Sequence, residues 1–400
     1  GTWMQIVPLG YLVYSQPHST SAVAIVAAAD GLPAVVLSLA GGVLADRLPR
    51  RRILLVTQTL LGLSSATLAI LVAGGHAGLL AIVLVAVVFG ATDAIDLPTR
   101  QALIADLVKR DLVVSAVALG STVMSATRIV GPSLGGLLIG SAGPAACFGV
   151  LAVAYLAPVV VLLTVIPDVR PLPRAAGATA LSDLLAGVSA VRSDPLVRGI
   201  VVTCAVLALF GVSYMPYLHV LASTQIHAGP QVLGLLYSVG GVGGLVAGLA
   251  LAAYGRGSGR RALLSVGGAV YAVSLFTVSQ SQTLWATVPG LVGISFAFLS
   301  MNTSMTTLLQ TETDPALRGR MLGIYATLFA GLQPLGTLLY GLLAHVMGLF
   351  NAIGAGAILV GLTAITVAGR PSFRQRLSGR ASPERPEGLG GDVSGGVASG

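Results

Sequence analysis

Twelve blocks of mainly apolar residues follow one another along this chain, with short connections between them. Most blocks are about 20 residues long, which is the length that an α-helix needs to cross the hydrocarbon core of a bilayer. Apolar residues run continuously through the blocks instead of recurring at the period of a half-buried helix or strand. Only 9% of the residues are charged, against about 25% in soluble domains. We therefore predict an all-α membrane protein, not a soluble enzyme.

The blocks predict twelve transmembrane helices in two pseudo-symmetric six-helix bundles. In chain order they cover 1–14, 20–45, 53–73, 77–99, 112–139, 144–166, 197–222, 230–254, 262–279, 284–308, 321–346 and 349–369. The first block is too short to span a bilayer. We therefore expect the first helix to be truncated in this chain.

Charge alternates from one connection to the next. Nearly all the loop charge lies in alternate connections, near 46–52, 100–111, 167–198, 255–261 and 309–320. The connections between these contain no Asp, Glu, Lys or Arg. Basic loops stay in the cytoplasm, so we predict a multi-pass inner-membrane protein with both termini cytoplasmic. The same rule assigns the net charge of +8 to loops that face anionic lipid, and we expect no nucleic-acid partner.

One long connection divides the helices into two groups of six. It is rich in proline and contains an amphipathic stretch, 182–192, that we place on the membrane surface. The Arg51-Arg52 pair recurs as Arg260-Arg261, which is the spacing expected of a duplicated half. The predicted organisation is a first bundle at 1–166, a cytoplasmic linker at 167–198, a second bundle at 199–370 and a disordered tail at 371–400.

A compact group of charges follows the second block, in the sequence GVLADRLPRRR. It contains Gly42, Asp46, Arg47, Arg50 and Arg51. An acid and several arginines in a tight turn can pair with each other and with helix ends in one conformational state and separate in another. We call this group the charge clasp. It resembles the signature loop of the major facilitator superfamily, and the resemblance implies a twelve-helix transporter.

A second element, GPSLGG, lies on the fifth block and contains Gly131, Pro132, Gly135 and Gly136. It resembles the GPxxGG element of exporters in that superfamily, although Thr127 stands where those proteins usually have a leading glycine. Several further stretches resemble the exporter subgroup that includes the enterobactin exporter and macrolide-efflux proteins. The resemblance covers about residues 1–370 and implies export.

The eighth block carries glycines four residues apart, at Gly240, Gly244 and Gly248. Such a row permits close approach of another helix. In the superfamily fold the fifth and eighth helices meet between the halves, so we expect this row to oppose the GPSLGG element.

Ionisable residues within the apolar blocks are candidates for proton coupling or substrate binding, because charge inside a bilayer is costly and usually serves a function. Asp30 is ~15 Å from the outer surface at ~1.5 Å per residue, near the midplane, where it could couple protons or serve as a structural, hydrogen-bonded acid. Arg128 is at similar depth and could bind an anionic substrate or pair with one of these acids. Asp93 could serve packing or a cavity. For Asp96 we favour a structural role, in which it shapes a helix end together with Pro98 and Arg100.

By helix position in the superfamily fold, Tyr214, Tyr217 and Asn302 are expected to line a central cavity. With so few charges, such a cavity suits a small amphipathic organic molecule. The predicted function is proton-driven efflux, an antiport, of a drug, siderophore or secondary metabolite, by a protein that works as a monomer. A metabolite importer or uniporter, a lipid flippase and a non-transporting scaffold are the alternatives.

The sequence predicts neither catalysis nor a cofactor. His, Asp and Ser do not cluster at catalytic spacing, and the histidines and cysteines lack the spacing of metal ligands. We therefore expect no enzyme activity, no cofactor and no metal site.

Overall fold

The computed structural model describes residues 2–15, 19–108, 113–165, 191, 194–254, 259–313 and 317–369. Every regular element in this part of the chain is a helix. Most of the predicted linker and the whole of the predicted tail lie outside the described residues.

The described part of the first half forms six helices. Their bounds are α1 (Thr2–Ser15), α2 (Thr20–Arg47), α3 (Arg50–Ala73), α4 (Leu79–Leu107), α5 (113–142) and α6 (144–164). The last two belong to one helical run, Val113–Thr164, which breaks at Gly143 with φ 82° and ψ 169°. This backbone conformation is accessible to glycine at little cost, so Gly143 allows the chain to turn back between the two helices.

The described part of the second half again forms six helices. They are α7 (Pro195–Thr224), α8 (Pro230–Tyr254), α9 (Gly259–Gln280), α10 (Leu284–Glu312), α11 (Arg318–Met347) and α12 (Leu349–Gly369). Asp194 caps α7, because its side chain accepts a hydrogen bond from the Leu196 amide at 2.8 Å. Pro195 follows at the first helical position, where its missing N–H leaves no hydrogen bond unmade.

The outer surface of the helices is apolar, as a lipid solvent requires. Val153, Leu249 and Val346 are 68%, 73% and 82% exposed. Within the described residues, nine helical stretches are long and apolar enough to cross a bilayer. In a bilayer each helix satisfies its own backbone hydrogen bonds, so apolar side chains can cover the outside while small and polar ones pack inside.

The predicted helices agree with those observed, with one clear exception at the end of the fourth. The sequence predicts that this helix ends near residue 99, but α4 continues through Pro98 to Leu107. Two positions beyond Pro98, the Arg100 side chain pairs with Asp96 one turn earlier, which stabilises this part of the helix. The prediction that Asp96 and Pro98 shape a helix end is therefore wrong.

Candidate functional site

A cavity of about 490 Å³ lies between the two bundles. We call it the larger cavity. Helices α1 and α2 line it from the first half, and α7, α8, α10 and α11 line it from the second. Most of its wall is apolar. Its polar side chains are those of Asp30, His219, Gln333 and Thr337, with the amphipathic rings of Trp3 and Tyr237 beside them.

Asp30 is held in the cavity wall by the packing of α2 against two other helices. A Cβ on Gly90 of α4 would overlap the Asp30 carbonyl oxygen, and a Cβ on Gly31 would overlap Pro334 of α11. The α2 backbone is therefore fixed on both sides at this level. None of the described residues donates a hydrogen bond to the Asp30 carboxyl or forms an ion pair with it, and the carboxyl is left to the cavity.

Asp93 does not line either of the two cavities described here. It lies on α4, three residues beyond the Gly90 contact with α2, and is half-buried. Its role, in packing or in a cavity, stays a prediction.

Asp96 is buried, 2% exposed, and well supplied with partners. The Thr57 hydroxyl and the Gln58 amide donate hydrogen bonds to its Oδ1 at 2.9 and 2.8 Å. Arg100 forms an ion pair with its other oxygen. A carboxylate satisfied in this way stabilises the packing of α3 on α4, so the role of Asp96 is structural but is not that of shaping a helix end.

His219 is a polar residue of the cavity that the sequence does not single out. Its ring is buried, 4% exposed, and neither ring nitrogen has a hydrogen-bond partner among the described residues. Tyr14 of α1 packs against it edge to face, with ring centroids 5.7 Å apart. Buried polar groups are usually hydrogen-bonded, so this imidazole is a candidate contact for a bound molecule.

The wall contributed by α7 is irregular. A π-helical turn and a 3-10 turn replace the α-helix over Leu207–Tyr217. Hydroxyl groups from neighbouring helices bind carbonyls in this segment: Tyr340 donates to the Phe210 oxygen at 2.5 Å and Tyr237 to the Met215 oxygen at 2.9 Å. These bonds compensate for the lost helical ones and fix the segment, which faces the cavity.

A smaller cavity, of about 210 Å³, adjoins the larger one and is lined by α1 and α5 of the first half and by α7, α8, α9 and α10 of the second. Tyr214 lines it. Tyr217 lines neither cavity, because its ring is buried and its hydroxyl donates to the Thr337 carbonyl at 2.7 Å. Asn302 lines neither cavity either, whereas Phe298, one turn earlier on α10, lines both. The predicted cavity position is thus wrong for Tyr217 and Asn302.

Helices α5 and α8 meet between the halves, as expected, but the glycine of α8 at this contact is Gly234 and not one of the predicted row. A Cβ on Gly136 would come within 2.6 Å of the Pro230 carbonyl oxygen and 2.8 Å of Gly234 Cα. Among the described residues, a Cβ on Gly240 would approach Ser295 of α10, and a Cβ on Gly244 or Gly248 would meet nothing within 4 Å. The predicted close packing of this row on α5 is therefore not found in the described part of the chain; instead, Gly240 and Gly244 line a cavity that Ile129 and Pro132 of α5 also line.

The other glycines of the GPSLGG element serve a second contact. A Cβ on Gly131 would come within 3.1 Å of the Met4 nitrogen, and one on Gly135 within 3.0 Å of the Met4 oxygen. This element therefore packs α5 between α1 and α8.

Two arginines of the charge clasp bind helix ends within the first bundle. Arg51 donates to the carbonyls of Leu162 and Leu163, at 2.6 and 2.9 Å, and so caps the last turn of α6. Arg50 donates to the Ala102 carbonyl of α4 at 3.3 Å. Cations near the C-terminal end of a helix are favourable. The part of the clasp formed by Gly42, Asp46 and Arg47 lies on α2, and those side chains are outside the described residues, as is that of Arg128 on α5.

Among the described residues, contacts between the halves run from the middle of the bundles to the end at which α1 is followed by α2 and α7 by α8. We call this the closed end. There Ser21 of α2 and His345 of α11 are hydrogen-bonded at 2.8 Å, and Ser133 of α5 donates to Ser238 of α8 at 2.6 Å. Toward the opposite end, Leu119 of α5 is 66% exposed. The larger cavity therefore lies between halves that are joined at the closed end.

The family model described as "Transmembrane secretion effector" matches residues 1–378. The chain belongs to this family of the major facilitator superfamily. Among curated relatives, the enterobactin exporter EntS of Salmonella typhi is 27% identical over 389 residues, covering 93% of this chain and 92% of the relative. EntS of Escherichia coli O1:K1 is 28% identical over 380 residues, covering 91% and 89%.

Solved structures share the fold of this family member. A bacterial homologue of the human lysosomal transporter Spinster, inward-facing and occupied, aligns with a TM-score of 0.72 at 14% identity and covers 96% of both chains. The nucleoside transporter NupG aligns with a TM-score of 0.70 at 15% identity, covering 92% of this chain and 96% of its own. At these identities the likeness establishes a twelve-helix, multi-pass membrane fold of the major facilitator type.

Proposed function

We propose that this protein exports a small amphipathic organic molecule across the inner membrane and that a proton moving inward drives the export. One observation carries the proposal: the Asp30 carboxyl lies in the wall of a cavity between the halves and has no described partner. A carboxyl without a fixed cation can bind a proton when the cavity faces one side of the membrane and release it on the other. The coupled steps need no cofactor.

The substrate class follows from the cavity wall. The wall is mostly apolar, with a few groups that donate or accept hydrogen bonds, which is the usual composition of sites for organic molecules. The relatives named as enterobactin exporters favour a siderophore or a related metabolite over a sugar. A drug of similar amphipathic character would fit the same wall.

Transport requires that the cavity open alternately to the two sides, and we propose rocking of the two bundles about the cavity. The contacts at the closed end support one of the two states, with the cavity shut toward the outside. The alternation of loop charge supports both termini in the cytoplasm. Each protein molecule encloses its own cavity, so we propose a functional monomer in the lipid bilayer.

Replacing Asp30 with Asn tests the coupling. In proteoliposomes with an imposed pH gradient, the wild type should accumulate substrate against its concentration gradient and Asp30→Asn should not. Substrate exchange without a gradient should continue in the variant, because the amide keeps the size and polarity of the side chain. Asp93→Asn is the matched control on the neighbouring helix and should retain gradient-driven transport.

Full gradient-driven accumulation by Asp30→Asn would refute the assignment, and loss in Asp93→Asn alone would transfer it to Asp93. The direction of transport has its own test. Everted vesicles should accumulate the substrate if the protein is an exporter, and right-side-out vesicles if it is an importer, whereas a uniporter would accumulate it in neither. Movement of labelled phospholipid instead of the organic solute would identify a flippase.

A further inference from the structure

The smaller cavity has no role in the proposed transport cycle, yet it lies next to the larger one. The two cavities share six lining residues, and these form a partition between them: Trp3, Ile6, Val212, Met215, Tyr237 and Phe298. A molecule in either space can therefore contact these six residues.

The two cavities differ in chemistry. The larger one contains Asp30 and His219, whereas no Asp, Glu, Lys, Arg or His among the described residues lines the smaller one. The Tyr237 hydroxyl, on the partition, is already engaged with the Met215 carbonyl at 2.9 Å. The smaller cavity therefore offers mainly apolar contact, and filling it with a nonpolar group removes that group's surface from water.

The volume sets the size of the group that fits. An engineered apolar cavity of about 150 Å³ binds benzene, so about 210 Å³ accommodates a ring or a short branched chain. The partition can admit such a group. Met215 has three rotatable bonds, and its side chain can swing aside while the Tyr237 hydroxyl holds its backbone carbonyl in place.

The glycine row of α8 explains why this space exists. Gly240 and Gly244 line the smaller cavity, and a Cβ on Gly244 would meet nothing within 4 Å. A larger side chain at Gly244 would occupy the cavity. Gly248, one turn farther along, has equally open surroundings but does not line the cavity.

We propose that the smaller cavity is an apolar subsite that receives a nonpolar arm of the substrate, of about the size of an aromatic ring. The polar end of the same molecule lies beside Asp30 and His219 in the larger cavity. The substrate thus has two distinct ends, a hydroxyl-bearing or similar hydrogen-bonding head and a short nonpolar arm. This inference rests on the proposed function, because it concerns the molecule that is transported.

The test measures binding apart from transport. The chain has two tryptophans: Trp3 in the partition and Trp285, which is 92% exposed at the start of α10. In a Trp285→Phe background the fluorescence of Trp3 reports occupancy of the site in nanodiscs. The probes are 4-alkylbenzene-1,2-diols, with one common head and arms that lengthen from methyl to hexyl.

The arm should strengthen binding until it fills the smaller cavity. Each methylene that enters it should raise the affinity about fourfold, after which the series should level off. Gly244→Leu should bind the methyl compound with the same affinity as the Trp285→Phe protein does. It should not show the increase in affinity for longer arms. Gly248→Leu is the matched control and should reproduce the full series. Lipid partitioning of the probes is common to all variants and cancels in the comparison.

A Gly244→Leu series identical to that of Gly248→Leu would overturn the subsite. If Gly244→Leu fails to bind even the methyl compound because it misfolds, Gly244→Ala places a smaller side chain in the cavity. Gly244→Ala should lower the affinity for the longest arms only, and an unchanged series of affinities would again overturn the subsite. Transport of the same probes in proteoliposomes separates the two proposals. If the affinity depends on arm length but the probes are not transported, the proposed subsite stands and the proposed export function is refuted.

Discussion

The contact between Gly136 and Gly234 provides a direct test of whether closure of this end controls transport. A methyl group on Gly234 would come within 2.6 Å of the Pro132 carbonyl oxygen and 2.9 Å of Gly136 Cα. Both neighbours are backbone atoms, so no side chain can turn away to make room. Since carbon atoms pack best at about 3.5–4.0 Å, α5 and α8 must separate by about 1 Å in Gly234→Ala.

This separation raises the free energy of the state in which the closed end is shut. Overpacking a well-packed contact costs about 1–3 kcal/mol, which corresponds to a shift of about 5- to 150-fold in the equilibrium between two states. Gly248→Ala is the matched control on the same helix, because its added Cβ meets nothing within 4 Å. We expect Gly234→Ala to favour the opposite state and to slow transport, and Gly248→Ala to do neither.

Cross-linking measures the population of the closed end at a distance from the mutation. Cysteines that replace Ser21 and His345 should form a disulfide when α2 and α11 are in contact, since the native side chains are hydrogen-bonded at 2.8 Å. The native cysteines, Cys147 and Cys204, are buried and should not compete. The oxidised fraction should fall in Gly234→Ala and stay unchanged in Gly248→Ala. Equal cross-linking and equal transport in the two variants would refute the argument.

Other predictions concern stability, binding and topology. Arg51→Ala should lower the melting temperature in detergent, because the α6 end loses a cap that contributes about 1–2 kcal/mol, while Arg198→Ala, at an exposed position, should not. His219→Phe should fold normally, since it removes two unpaired buried nitrogens, but should bind substrate about tenfold more weakly if a ligand bonds the imidazole. An unchanged affinity would remove His219 from the site. An impermeant thiol reagent outside intact cells should label His76→Cys and leave Thr311→Cys unlabelled, and the reverse would invert the predicted orientation.

The sequence predicted the helices well because each apolar block carries its own information about length and ends. It could not predict which face of a helix points where. Helices in a bilayer are apolar all round, so hydrophobic periodicity, which assigns faces in soluble proteins, is weak. The row Gly240, Gly244 and Gly248 was assigned to α5 for that reason, whereas Gly234 and Ser238, on another face, make the contact.

The cavity residues also show that the sequence does not predict which side chains a helix turns toward the interior. Asp30 stood out because an acid in a bilayer is rare, and the structure places it in the wall. His219 could not be told apart from the other histidines, since its burial depends on the packing of α1 against α7. The irregular turns at Leu207–Tyr217 had only Pro216 as a local indication, and the hydroxyl groups that stabilise them come from two other helices, α8 and α11.

The chemistry of the closed end bears on how easily it opens. Its described contacts between the halves include glycine backbones, serine hydroxyls, a serine–histidine hydrogen bond and the ring pair of Tyr14 and His219, and none of these is an ion pair. Breaking a desolvated ion pair would leave two unpaired charges in a bilayer, at a cost of several kcal/mol. Parting two glycine faces loses only dispersion contacts, which lipid or side chains can partly replace. Alternating access, as we propose it, needs two states within a few kcal/mol of each other, and contacts of this kind satisfy that requirement.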